Sequence, residues 1–324
     1  MQTPEKLLLG IDIGGTKISV CAGDTAGAIR AAQRFPAAEV AGSYAAGLSK
    51  IVALCQAVTQ KAGVAMRDVT AVGIAAPAPM DNQRGLLLAP TNLKGWGTAP
   101  IVSDLTQRLQ KPVRMCNDAN ACALAELRFG CGQGVKNLVY LTNSTGMGGG
   151  IVVNGQVLEG PDDTAGEVGH FVLNPGGPRC ACGQDGCFEA YCGGLSLARR
   201  IQARLRAHPT DTRMLHHAGG EIDQIAIPAL LAALREHDPL AQEVWEEYVM
   251  RMAQGIGILI MTFNPDLIVL GTIAIHAGDL FMAPLQKQLP RFAWPAPLKT
   301  CRIAVSQLGA AIGDYAALAA AMAR

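Results

Sequence analysis

Residues 7–13 (LLLGIDI) are apolar except at Gly10 and Asp12, a run of strand length that is too short for an ordinary helix. It ends at Gly14-Gly15-Thr16-Lys17, and a second strand-like run, ISVCAG, follows at once. The pattern predicts strand, glycine turn, strand. A helix is expected over 43–62, a short strand over 71–77 (AVGIAAP) and a loop over 90–97 (PTNLKGWG). A helix over 101–110 and a strand over 113–116 come next. Asn117 or Asp118 then starts an alanine-rich helix running to about Phe129, as a short polar side chain there accepts the unpaired N–H groups of the first turn.

The opening theme returns in the second half. Residues 137–143 (NLVYLTN) predict a strand, Ser144 to Gly150 (STGMGGG) a glycine turn, and 151–153 another strand. Beyond it the pattern predicts a long helix over 240–262, a buried strand over 266–271 (DLIVLG) and a small-residue helix over 309–323. Strands alternating with helices imply α/β lobes with covered sheets, and the repeated hairpin implies two of them. At 324 residues the chain has the length for two domains.

Composition narrows the function. Hydrophobic residues make up 50% and charged residues 16%, which excludes disorder of the charged, weakly hydrophobic kind. The 27 basic and 26 acidic side chains nearly cancel to +1, so no basic surplus is available to hold nucleic acid by its phosphates. No secretory apolar segment opens the chain, and the apolar stretch 255–263 is too short to span a bilayer. The expectation is a cytoplasmic protein with neither a nucleic-acid nor a membrane partner. In a reducing compartment, three of the ten cysteines within 180–187 point to metal rather than to disulfides.

Four places carry candidate chemistry. Asp12 with Gly14, Gly15, Thr16 and Lys17 forms either a plain hairpin turn or an anion cradle, since glycines let backbone N–H groups approach an anion and Thr and Lys add donors. An Asp at the strand end can hold a magnesium-bound water. Thr145-Gly146 with the following Met-Gly-Gly-Gly is a second such turn, and neither matches the P-loop or dinucleotide spacing. Asp118 is a helix cap or an acid–base carboxylate of the kind a kinase needs to take a hydroxyl proton. His170, Cys180, Cys182 and Cys187 supply one imidazole and three thiolates, a closed tetrahedral set for structural zinc. Glu167 and Glu189 flank that set, as solvated carboxylates or as groups held rigidly for a polyhydroxylated ligand.

Taken in order, DIGGTK (12–17), NDAN (117–120), TGMGGG (145–150), GEVGH (166–170), CACGQDGCFE (180–189), NPDLIVLG (264–271) and LGAAIG (308–313) resemble the ROK family (repressor, open reading frame, kinase). The resemblance implies an α/β, two-lobed, actin-like or hexokinase-type (ribonuclease H-like) fold with a structural zinc loop. It places one lobe at 1–117 plus about 307–324 and the other, with the zinc loop, at 118–306. It implies ATP-dependent phosphorylation of a hexose at the 6-hydroxyl, glucose first, with N-acetylmannosamine, N-acetylglucosamine or fructose as other acceptors. Asp118 would be the base. Asn92, Asn117, Glu167, His170 and Glu189 would bind sugar with it, and His170 would also hold zinc. Asp12, Gly14, Gly15, Thr16, Lys17, Thr145, Gly146 and Gly271 would handle ATP and Mg²⁺, and a homodimer is implied.

Three places depart from the family pattern. Ser144 begins a turn that usually reads Gly-Thr-Gly, Pro77-Ala78-Pro79 stands where Pro-Gly-Pro is usual, and Thr272 follows Gly271 where a further glycine is usual. The β-branched Thr272 is expected to crowd the backbone near the adenosine, which leaves a weakly catalytic sugar-binding regulator as the alternative function. Only eleven residues precede Asp12, too few for a helix-turn-helix domain of a repressor.

Overall fold

The computed structural model describes residues 6–90 and 93–323. Its strands are β1 (Leu7–Ile13), β2 (Lys17–Asp24), β3 (Ile29–Pro36), β4 (Val69–Ala76), β5 (Met80–Asp81), β6 (Leu86–Leu88), β7 (Thr98–Ala99), β8 (Val113–Asn117), β9 (Leu138–Asn143), β10 (Met147–Val153), β11 (Gln156–Val157), β12 (Leu267–Leu270) and β13 (Arg302–Val305). Its helices are α1 (Tyr44–Lys61), α2 (Ile101–Leu109), α3 (Asp118–Phe129), α4 (Phe188–Cys192), α5 (Gly194–Ala207), α6 (Arg213–His217), α7 (Ile227–Arg235), α8 (Pro239–Phe263), α9 (Ile273–Ala277), α10 (Asp279–Gln288), α11 (Pro295–Thr300) and α12 (Ile312–Ala321). Among the described residues no helix is long and apolar enough to cross a membrane.

Two compact units are formed, one from Met1–Lys136, Gly150–Gly166 and Gln307–Arg324, the other from Asn137–Gly149 and Glu167–Ser306. The first boundary falls at 136/137 where the sequence suggested 117/118, because α3 packs on α12 within the first unit.

The first unit's sheet has the order β3-β2-β1-β4-β8, with β1–β2 and β2–β3 antiparallel and β4 and β8 joined in parallel. Side chains alternate across it. Leu9, Ile11 and Ile13 of β1 join a core with Leu48, Ile51, Cys55 and Val58 of α1. The other face of β1 presents Leu8, Gly10 and Asp12 toward α12. A methyl group on Gly10 would come within 2.8 Å of the Ala317 Cβ, and one on Gly73 would overlap the Ala317 carbonyl oxygen. These glycines let the alanine-rich α12 lie directly on the sheet backbone, and Asp12 shares that face.

The second sheet has the order β11-β10-β9-β12-β13, with β12 parallel to both β9 and β13. Strand β10 begins at Met147, so Gly148 to Gly150 are strand residues rather than the end of a turn. The reason is packing: a side chain at Gly150 would overlap the Ala119 carbonyl oxygen of α3. The long α8 starts where Asp238 accepts the Ala241 N–H at 2.8 Å and stops at Asn264, which is left-handed at φ 43°. Its Trp245 and Tyr248 stack at 4.6 Å and fix it beside Phe281 of α10.

Candidate active site

In the first unit, the turn after β1 is closed by the Gly14 N–H donating to the Lys17 carbonyl at 3.0 Å. Gly15 and Thr16 are exposed at its tip. Asp12 stands one residue before the strand end. Its neighbour from α12 is Gly313, where any side chain would collide with the Asp12 carboxylate. Asp314 follows, accepting a 2.7 Å hydrogen bond from the Ser19 hydroxyl. Burial pushes the Asp12 carboxyl up from 3.8 to about 6; Lys17 opposes this, while Asp314 and Asp118 add to it. The influence of Asp118 brings it into the electrostatic neighbourhood of the first glycine turn.

Strand β8 runs straight into α3, and Asn117 is the cap. Its Oδ1 accepts the Ala119 and Asn120 N–H groups at 3.0 and 3.2 Å. Asp118 is therefore the first helical residue and is solvent-exposed, with Oδ1 2.8 Å from the Ala119 nitrogen. A carboxylate at this helix end is favoured in its charged form by the macrodipole. Asn92, the remaining sugar-binding expectation for this part of the chain, lies outside the described residues.

The second unit holds the metal set. Ligand atoms of His170, Cys180, Cys182 and Cys187 all lie within 4.8 Å of one another. The His170 Nδ1 to Cys180 Sγ distance is 3.7 Å, and the Cys182 and Cys187 sulfurs are 3.6 Å apart. Tetrahedral zinc bonds of about 2.3 Å to sulfur and 2.0–2.1 Å to nitrogen place ligand atoms roughly 3.5–3.8 Å apart. The donors thus fit a closed zinc site in chemistry, and these two pairs stand at zinc spacing. Left-handed glycines at 183 and 186 reverse the chain between the thiols, and the Gly183 N–H closes one turn on the Cys180 carbonyl at 3.1 Å. With Nδ1 turned to the sulfurs, the other ring nitrogen of His170 lies 4.0 Å from the Glu167 carboxylate.

Glu189 follows the last thiol on α4 and has a structural partner. Its Oε2 accepts the Met147 N–H at 2.8 Å. A side chain on Gly146 would come within 2.7 Å of the same oxygen. The Gly194 and Leu195 N–H groups at the start of α5 donate to the Ser144 and Thr145 carbonyls, each at 2.9 Å. The second glycine turn is therefore held by the segment that follows the metal loop, a linkage with no signature in the local sequence.

A cavity of about 470 Å³ opens beside that turn. Ile227, Pro228 and Leu231 of α7 and Ile273 of α9 give it apolar walls, and Ser144, Arg235, Thr272 and His276 are its polar lining. Gly271 lies between the end of β12 and Thr272, and a side chain there would come within 2.6 Å of the Tyr140 hydroxyl. Thr272 has φ 34° and ψ −87°, a conformation a β-branched residue rarely adopts. The α7 residues escaped sequence reasoning because they lie 37 to 45 positions from Thr272 and belong to an ordinary apolar helix pattern.

The structure thus groups Asp12, Gly14, Gly15, Thr16, Lys17, Asn117 and Asp118 in the first unit. It groups Thr145, Gly146, Glu167, His170, Cys180, Cys182, Cys187, Glu189 and Gly271 in the second.

Comparison with known proteins follows the same lines. The glucokinase of Thermotoga maritima is 31% identical over 237 residues, covering 73% of this chain and 74% of that protein. The N-acetylmannosamine kinase of Vibrio vulnificus (strain CMCP6) is 33% identical over 95% of this chain and 94% of its own. The crystal structure of a ROK hexokinase from Thermus thermophilus superposes with a TM-score of 0.83 at 30% identity, covering 98% of both chains. That of a ROK family glucokinase from Streptomyces griseus in complex with glucose and AMPPNP gives 0.79 at 31% identity, covering 98% of this chain and 99% of that one. The two-sheet α/β fold is thus that of the ROK hexokinases. Finally, the ROK family model matches residues 8–323, nearly the whole length. The chain belongs to the ROK family.

Proposed function

We propose that the protein is an ATP-dependent hexose kinase that phosphorylates the 6-hydroxyl of glucose. The observation that carries this reading is the division of labour at the start of α3: Asn117 caps the helix, and Asp118 stands exposed at its charged end. Asp118 accepts the proton of the sugar hydroxyl while that oxygen forms its bond to the terminal phosphorus. The bond from that phosphorus to the bridging oxygen breaks, and ADP leaves with the electron pair. Glu167, His170 and Glu189 provide the hydrogen-bonding groups for the other hydroxyls, and Asn117 adds its amide.

Magnesium, held through Asp12 and water, would supply charge neutralisation on the phosphates. The backbone N–H groups of the two glycine turns, with Thr16, Lys17 and Thr145, bind phosphate oxygens, and the apolar cavity at Gly271 takes the base. His170, Cys180, Cys182 and Cys187 would hold zinc, which would brace the loop that ends at Glu189 without entering the chemistry.

Glucose is favoured as acceptor by the glucokinases among the relatives. The 33% identical N-acetylmannosamine kinase supports a 2-acetamido hexose as the second reading. The test is ADP release with Mg–ATP against glucose, mannose, fructose, N-acetylglucosamine and N-acetylmannosamine, with Asp118→Asn as control. Glucose-dependent release should fall by orders of magnitude in that variant while glucose still binds by calorimetry. Undiminished turnover would remove Asp118 from the mechanism.

A further inference from the structure

The cavity beside the second glycine turn contains two hydroxyls for which the protein itself has no use. Neither the Ser144 nor the Thr272 side chain makes a hydrogen bond to another described residue, and Thr272 does not cap the helix it precedes. Both line the same 470 Å³ space, whose remaining walls are largely apolar. The walls are also fixed: the Arg235 guanidinium donates to the Leu231 carbonyl at 3.3 Å and to the His276 carbonyl at 3.1 Å, bridging α7 to α9. Thr272 is kept at a positive φ, a region that favours glycine over a β-branched residue, and such strain tends to persist where a ligand uses it. A hydroxyl can donate and accept, so a pair of them in an apolar pocket suits a ligand that presents hydroxyls of its own beside an apolar ring.

We infer that Ser144 and Thr272 recognise the ribose hydroxyls of the nucleotide donor and so set a preference for ribonucleotides over deoxyribonucleotides. This rests on the proposed kinase reading, in which phosphates lie on the Thr145-Gly146 turn and the base enters the cavity. Ribose connects the two, and Ser144 is the residue adjoining the turn on the cavity side. A nucleotide lacking one ribose hydroxyl forfeits one neutral hydrogen bond, and the exposed Ser144 or half-buried Thr272 hydroxyl returns to water.

The test is calorimetric binding of ADP, 2′-deoxy-ADP and 3′-deoxy-ADP to the intact protein with magnesium. The variants are Ser144→Ala, Thr272→Val and Thr272→Ser. Thr272→Val preserves the branched shape and removes the hydroxyl, and Thr272→Ser restores the hydroxyl without the branch. The parent should prefer ADP over at least one deoxy analogue by about 3- to 10-fold, the ratio expected for one neutral hydrogen bond. Ser144→Ala and Thr272→Val should each bring that ratio closer to one, and Thr272→Ser should keep it. Equal binding of all three nucleotides by the parent, or a preference untouched by both variants, overturns the inference and leaves the kinase reading standing. Failure of every nucleotide to bind overturns the inference together with the donor half of that reading.

Discussion

At the scale of single residues, the structure sets stability against chemistry at Asp12. Its carboxyl is pushed up from 3.8 to about 6, first by burial, so the folded state holds a proton more tightly than the unfolded chain does. Below about pH 4 both states are protonated and the residue costs nothing. Between pH 4 and 6 the unfolded state ionises first, and stability is lost. Above pH 6 the full cost stands, about 3 kcal/mol. Asp12→Asn should therefore stabilise the metal-free protein near neutral pH by up to about 3 kcal/mol, a gain that shrinks toward zero as the pH approaches 4. Urea denaturation at both ends of that window checks it, and a variant no more stable than the parent at neutral pH would contradict the buried-charge account. A carboxylate kept at such a cost is consistent with its proposed task of holding magnesium. Thr272 carries a comparable burden at φ 34°, and there the cause could be anticipated from the sequence while the geometry could not.

At the scale of elements, two segments depend on close approach or on cross-linking rather than on bulk burial. The metal loop is one. It has little regular structure of its own, and two pairs among its thiols and imidazole stand 3.6–3.7 Å apart, with all four ligand atoms within 4.8 Å. Cys182→Ser removes one of four ligands from a closed set and should release zinc. The loop then loses its fixed path into α4, and with it the Glu189 bond to the Met147 N–H. Glucose binding by calorimetry should weaken at least 10-fold, and zinc content should fall to near zero. A variant that still holds one zinc per chain would show that Cys182 is not a ligand. The other segment is α12 on β1 and β4. Gly73→Ala adds a methyl into the backbone of Ala317 and Ala321, which cannot swing aside as a side chain could. A loss of at least 1–3 kcal/mol is expected, measured by the denaturation midpoint at constant slope.

The same elements show what could be read from the chain beforehand. Strong periodic segments such as α1, α8 and β1 were legible because their apolar spacing is set locally by the core they face. The gathering of His170, Cys180, Cys182 and Cys187 was legible because a candidate metal set demands particular residue types at short spacing, and the helix start at Asn117-Asp118 because a cap demands a short polar side chain. The start of β10 at Met147 was not, since Gly150 answers to Ala119 of α3, some thirty residues earlier. The cavity lining from α7 was hidden for the same reason: what selects it is a neighbour distant in sequence. Glu189's bond to the Met147 N–H also depends on a fold-level contact, 42 residues apart.

At the scale of the whole molecule, the chain builds its first unit from three separated stretches and its second mainly from the long stretch between them. The last stretch closes the first unit. Ala316, Ala317, Ala319, Ala320 and Ala321 of α12 are all essentially buried, and so is Leu318. With about 0.8 kcal/mol for each alanine methyl and about 2 for the leucine, that face contributes on the order of 6 kcal/mol, comparable to the entire stability of a small domain. Removing it would also bare the paired Gly10 and Gly73 of β1 and β4, where no side chain covers the sheet backbone. A chain ending at Ser306 should therefore lose hydrogen-exchange protection across β1 and β4. Strands β9 and β12 keep a core built from α8 and α10, and their amides should remain protected, with zinc still bound. Protection persisting in β1 and β4 would mean that the first unit is complete without α12. Loss of protection in both sheets would mean that the second unit depends on the first for its stability, and that the chain unfolds as a single cooperative body.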